Sequence, residues 1–323
     1  MIPDRIARMF NQAYSQVFPD DRLTLGLMTP LIPPAGVLAD PVTEKELARR
    51  AEACGFAALW TRDVPLMIPQ AGEVSALDDP FLWLGMLAGA TSTIAVGTAA
   101  AVLPLRHPLL LAKSALTLDR LSGGRFLLGV GSGDRAEEFA AFGMTAEQGG
   151  ERFRAHWEVV HAVLNDALDD APNEAARQQL MRATGGYQVL PQPAQRIAML
   201  AVGSARQSLQ WIAANADGWA SYHREEQRQQ GRIGLWQQAL AQRAAGAAKP
   251  FIQSLNLDLL DDPDAPSEPI TLGMRGGRHA LLEYLRRLHG YGVGHVLLNL
   301  ARQGRPRRDV MDEIGREVIP QLG

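Results

Sequence analysis

Along most of its length the chain alternates short apolar runs with stretches whose apolar residues recur at helical spacing. The runs LTLGLM (23–28), FAALW (56–60), IAVGT (94–98), RFLLGVG (125–131), IAMLAV (197–202), ADGWAS (216–221), FIQSLNLDLL (251–260) and HVLLNLA (295–301) are strand candidates. Between them, VTEKELARRAEACG (42–55) predicts a helix, opened by a capping box at Thr43 and Glu46 and stopped by glycine. A buried helix from Phe81 to near Thr91 and a third over 109–124 continue the alternation. Eight strands, each followed by a segment able to form a helix, predict an α/β fold of the TIM (β/α)8 barrel type. An open doubly wound sheet also alternates strands and helices, and the count of eight favours the barrel.

Three stretches lie outside the repeat. Ile6, Met9, Phe10, Ala13 and Val17 recur at helical spacing and predict an N-terminal helix within 1–22, laid on its own domain or on a second subunit. The polar, alanine-rich segment 165–186 reads as an inserted surface helix, or alternatively a lid, and DDPDAPSEP (261–269) as an exposed loop. No shift in composition marks a boundary, so residues 1–323 are expected to form a single domain. The 25 residues from Phe81 to Leu105 carry no charge and would be long enough to cross a bilayer, but the GATST cluster breaks them into helix and strand.

Composition narrows the partners. A net charge of −3 gives no electrostatic reason to expect nucleic acid or an anionic membrane, so a small molecule is the default ligand. Cys54 is the only cysteine, no signal peptide opens the chain, and a cytoplasmic location is expected. No group of His, Cys, Asp and Glu has the spacing of a metal site, and no serine nucleophile elbow occurs. The glycine-rich GVGSGD fits a dinucleotide fingerprint at Gly129 and Gly131 only; Asp134 stands where the third glycine belongs, and Glu151 is not at the end of a second strand.

Several local motifs, in order, do agree with one family. GFAALWTRD (55–63), VGTAAAVLPLRHPLLLAKSALTLDRLSGGRFLLGVGSG (96–133), EFAAFG (138–143), ERFRAHWEVV (151–160) and LAVGSARQSLQWIAANADGW (200–219) resemble the bacterial luciferase-like flavin-dependent oxidoreductases. The resemblance implies a barrel that binds flavin mononucleotide (FMN), or the deazaflavin coenzyme F-420, at the C-terminal ends of its strands. It also implies a homodimer and, for some activities, a separate flavin reductase as partner.

By the same resemblance, Thr98 and Ala99 would support the flavin ring, often across a non-proline cis peptide, and Ser132 and Gly133 would lie in the loop after the fourth strand. Arg152 and Phe153 would meet the phosphate end, where arginine makes planar, charge-assisted contacts. Gly203, Ser204, Ala205 and Ser208 of GSARQS would form the phosphate loop, although Ser208 equally suits a plain helix N-cap. Arg62 and Asp63 would contact cofactor or substrate. The luciferases carry a histidine beside that acid and this chain carries Val64, which puts their oxygen chemistry in doubt here. His107 and His223 are the candidate proton donors. The implied function is flavin-dependent oxidation or reduction of a small organic substrate; hydride transfer with deazaflavin and flavin binding without turnover are the alternatives.

Overall fold

The computed structural model describes residues 10–31, 38–66, 77–165, 174–244 and 247–323. Within them the eight strand candidates form β1 (Thr24–Thr29), β2 (Ala58–Thr61), β3 (Ala95–Thr98), β4 (Phe126–Gly131), β5 (Met199–Val202), β6 (Gly218–Tyr222), β7 (Phe251–Leu259) and β8 (Val293–Asn299). Neighbours in this order pair in parallel, and β8 pairs with both β7 and β1, so the sheet closes on itself as a TIM barrel. A two-residue strand, Ala101–Val102, continues the third strand position alongside β4.

Local chemistry sets the helices. Pro41–Ala53 starts at Asp40, whose carboxylate accepts from the Thr43 and Val42 N–H groups, so the cap is Asp40 and not the expected Thr43–Glu46 box. Glu46 pairs instead with Arg308. The expected helix from Phe81 runs Pro80–Ala90, and the third, Pro108–Ser122, ends on Gly123 in the left-handed conformation. None of the described helices is long and apolar enough to cross a membrane.

Two sets of buried side chains follow from the two-residue period of the strands. One set packs between the strands and the outer helices, with Phe126, Phe153, Trp157, Trp236 and Phe251 among its largest members. The other fills the barrel interior and includes Trp60, Leu127, Leu200, Ile252 and Leu297.

Helix Gln12–Val17 closes the barrel bottom, with Ala13 and Val17 fully buried and the Asn11 amide donating to Asp119 and to the Phe126 carbonyl. It docks on its own domain; Ile6 and Met9 lie outside the described residues. Of the insertion, Glu174–Thr184 is helical, and 166–173 lie outside the described residues. The stretch expected as an exposed loop at 261–269 departs from that expectation at its end. Glu268–Ile270 pairs antiparallel with Gly273–Gly276, which in turn pairs with Asn256–Leu259 of β7. Gly273 makes this approach possible, since a Cβ there would stand 1.8 Å from the Asn256 carbonyl oxygen.

Candidate functional site

At the C-terminal ends of the strands lies a cavity of about 580 Å3, within the ~300–1,000 Å3 usual for small-molecule sites. It is lined by residues of β1, β5, β6, β7 and β8 and by Arg62, Ala99 and Asp134, which follow β2, β3 and β4. Met28, Ala99, Val202, Ala220, Ile252 and Leu297 are apolar, and Arg62, Ser254, Asn256 and Asn299 bring polar groups. Small residues set its width between β3 and β6. A Cβ on Gly129 would stand 2.1 Å from the Thr98 carbonyl oxygen, so β3 and β4 approach this closely because that position is glycine; one on Gly131 would stand 3.3 Å from the Ala100 Cβ, a tight fit. The two asparagines are already oriented. Asn256 Nδ2 donates to the Thr271 carbonyl and Asn299 Oδ1 accepts from the Ala301 N–H, which leaves Asn256 an acceptor and Asn299 a donor for a ligand.

The expected site residues divide. Arg62, Ala99 and Gly203 line this cavity. Thr98 is fully buried, its hydroxyl donating to the Gly129 carbonyl, and the non-proline cis bond falls between Ala99 and Ala100. Ser132 is buried, and Gly133 turns left-handed where a Cβ would strike Val102 and the Phe139 ring. Gly203, Ala205 and Arg206 also have positive φ, which for non-glycine residues costs on the order of 1 kcal/mol or more each and persists where the surroundings impose it. The surroundings are visible: Gln207 donates to the Gly150 carbonyl and the Arg206 guanidinium lies over the Phe139 ring. Ser204 is exposed, and Ser208 is the N-cap of Leu209–Asn215, its hydroxyl accepting from the Trp211 N–H.

Others are placed elsewhere. Asp63, 7% exposed, is clasped by Arg106 through two hydrogen bonds of 2.7 and 2.8 Å and accepts from the Val102 N–H, so it ties the end of β2 to the loop after β3 and does not line the cavity. Despite its burial Arg106 is held above its ordinary pKa by Asp63. His107 lines a different surface depression beside Arg106. Phe153 is 0% exposed against Trp157 and Trp211 and cannot touch a ligand, while Arg152 on the same helix (Gly149–Asn165) is exposed and donates to the Pro104 carbonyl. His223 faces a second cavity, described below.

Sequence reasoning passed over Ser254, Asn256 and Asn299. A signal existed: Ser254, Asn256 and Asp258 put a polar residue at every second position of a strand whose alternate positions from Leu255 on are leucine, the mark of a barrel strand with one face on a wet mouth. Among the described residues no cluster suited to a metal ion occurs.

Residues 26–313 match the family model described as luciferase-like monooxygenase. An uncharacterized protein of Mycobacterium tuberculosis is 31% identical over 201 residues, covering 57% of this chain and 69% of that one. Among solved structures, a secondary alcohol dehydrogenase dependent on coenzyme F-420, in complex with an adduct of that coenzyme and acetone, superposes with a TM-score of 0.72 at 13% identity, covering 94% of this chain and 99% of that one. The oxygenating constituent of 3,6-diketocamphane monooxygenase of Pseudomonas putida, in complex with FMN, gives 0.68 at 14% identity with the same coverage. Identities this low speak to the shared barrel alone.

Proposed function

The chain belongs to the luciferase-like monooxygenase family, and from that premise we propose that it is a flavin-dependent oxidoreductase, a monooxygenase or reductase of a small organic substrate, with FMN in the barrel mouth. The carrying observation is the cavity at the C-terminal ends of the strands, lined by apolar side chains and by the small residues Ala99 and Gly203. A flat ring could lie against such small residues, and a bulky side chain at either position would take up its space. Once bound, the flavin supplies the electrons or hydride, and the protein supplies orientation and exclusion of water. Asn256 would accept from the ring edge or substrate and Asn299 would donate, while Arg62 favours negative charge. The phosphate would lie by the turn at Gly203–Ala205, with Arg152 as its cation. A separate reductase would be the source of reduced flavin if the chain has no donor site of its own.

A second reading, hydride transfer with the deazaflavin F-420, is favoured by one observation. Val64 is buried and apolar at the position where the resemblance puts the luciferase histidine, so no side chain there can hold a proton for oxygen chemistry. Titration with FMN and with F-420, followed by absorbance, separates the two readings. Tight binding with no turnover under any donor and substrate panel would favour a non-catalytic flavoprotein.

The phosphate assignment has its own measurement. A hydrogen bond to a charged group is worth roughly 1.5–3 kcal/mol, so Arg152→Ala should weaken FMN about 10- to 150-fold and leave riboflavin unaffected. Equal weakening of both ligands would mean that Arg152 supports the fold and not the phosphate.

A further inference from the structure

Beside the barrel mouth, on the far side of Leu272, lies a second cavity of about 520 Å3. Leu272 is 40% exposed and forms the tip of the strand pair that extends β7, so its side chain stands as a partition between the two spaces. The wall toward that strand pair is apolar, from Leu272 and Met274. The opposite wall is formed by the chain from His223 into helix Glu226–Arg243.

Behind this wall a hydrogen-bonded chain fixes the imidazole. Gln253, 0% exposed, donates through Nε2 to the Tyr284 hydroxyl at 2.9 Å and approaches His223 Nδ1 at 3.3 Å; the hydroxyl in turn lies 3.1 Å from the same Nδ1. Burial pushes the tyrosine up to about 12, so it keeps its proton and donates it to Nδ1. Burial also lowers the His223 pKa, favouring the neutral ring. With Nδ1 an acceptor, the ring proton sits on Nε2, and the only polar atom left for a ligand is a donor.

The charged groups around the imidazole are of both signs, and the two carboxylates are already engaged. Glu225 is spent on the Gln227 and Arg228 N–H groups as helix cap, and Glu226 on Arg287 and the Tyr291 hydroxyl. Arg224 and Arg228 line the cavity, and among the described residues neither guanidinium is in an ion pair. A fixed N–H donor, two guanidinium groups outside any ion pair and the apolar side chains of Leu272 and Met274 make one set of demands. We propose that this side cavity binds a small organic carboxylate, its anionic head on His223 Nε2 and Arg228 and its apolar tail against Leu272 and Met274. This cavity shares only Leu272 with the barrel mouth, so the site stands or falls apart from the proposed activity.

The test uses the full chain carrying 15N-labelled histidine, with hexanoate as probe and the His223 ring signals assigned through His223→Gln. Hexanoate should shift those signals saturably, and Arg228→Gln, a change at an exposed side chain, should weaken it about tenfold or more. Hexan-1-ol should bind far more weakly to the wild type and equally to both proteins. FMN titrations should be the same with and without saturating hexanoate. No saturable shift, an equal affinity in Arg228→Gln, or the same shift from chloride at matched ionic strength would overturn the proposal.

Discussion

At the floor of the barrel large rings occupy the space that glycines leave, whereas at its mouth the same eight strands carry small and polar residues around a cavity. Trp60 lies against Gly97, where a Cβ would come within 2.5 Å of its ring, and against Gly26. Its indole N–H donates to His295 Nε2 at 3.0 Å, and His295 Nδ1 meets the Thr24 hydroxyl at 2.7 Å, which itself donates to the Val17 carbonyl. Phe10 and Tyr14 stack beneath, 4.2 Å apart. The indole, imidazole and Thr24 hydroxyl of this layer are all answered from inside the fold. In the mouth, Asn256 and Asn299 each keep one amide atom for a ligand, and the tight turn at Gly203–Arg206 holds two non-glycine residues at positive φ. Packing that is complete stabilises, and packing left incomplete binds; the two ends of one barrel divide that labour.

The contrast can be broken most strongly at the floor. Trp60→Ala should cost about 3–5 kcal/mol in urea unfolding, because the socket of two glycines cannot collapse onto the void. A loss under 1 kcal/mol would mean that the floor is not the close-packed layer described. The mouth should answer a bulky change in affinity and not in stability: Ala99→Phe is expected to weaken FMN at least about 100-fold, equivalent to roughly 2.7 kcal/mol, with an unchanged urea midpoint. Unchanged flavin titration would remove Ala99 from the site.

Acid sharpens the same comparison. Burial holds the His295 pKa at about 3, well below its ordinary 6.5, so the folded protein keeps this ring neutral while the unfolded chain protonates it. Its contribution is complete above pH 6.5 and lost as pH falls from there toward 3, by about 1.4 kcal/mol per pH unit. His295 should remain neutral by NMR at pH 5, and a ring that titrates near 6 in the folded protein would contradict the closed floor. The smallest effect belongs to Asn299→Ala, which loses the hydrogen bond from the Ala301 N–H and should cost no more than about 1.5 kcal/mol of stability while changing flavin or substrate affinity. A large fall in stability would place Asn299 in the framework and not in the site.

The order of strands and helices was legible because period and glycine stops are local, and the barrel followed from the number of strands. Direction was not legible. Arg152 and Phe153 are neighbours on one helix and so point about 100° apart, and no single ligand can take both; the apolar spacing Phe153, Trp157, Val160, Leu164 already marks the buried face. Asp63 looked like a cofactor contact from its place at a strand end, yet the partner that claims it, Arg106, is 43 residues away in sequence. His107 and His223 were separated from the mouth by the path of loops, which carries no periodic signal. Ser254 and Asn256, in contrast, sat in plain alternation.

The socket around Trp60 also constrains how such a chain can change over generations. Enlarging Gly97 or Gly26 alone collides with the indole, and shrinking the indole alone leaves a void, so either single step passes through a poorly folded ancestor; only paired replacements keep the floor filled. Side chains such as Ser254, Asn256 and Asn299 at the mouth border the cavity and can change one at a time. A lineage built on this barrel can therefore drift from one substrate to another, residue by residue, while its base stays fixed across the same span of descent.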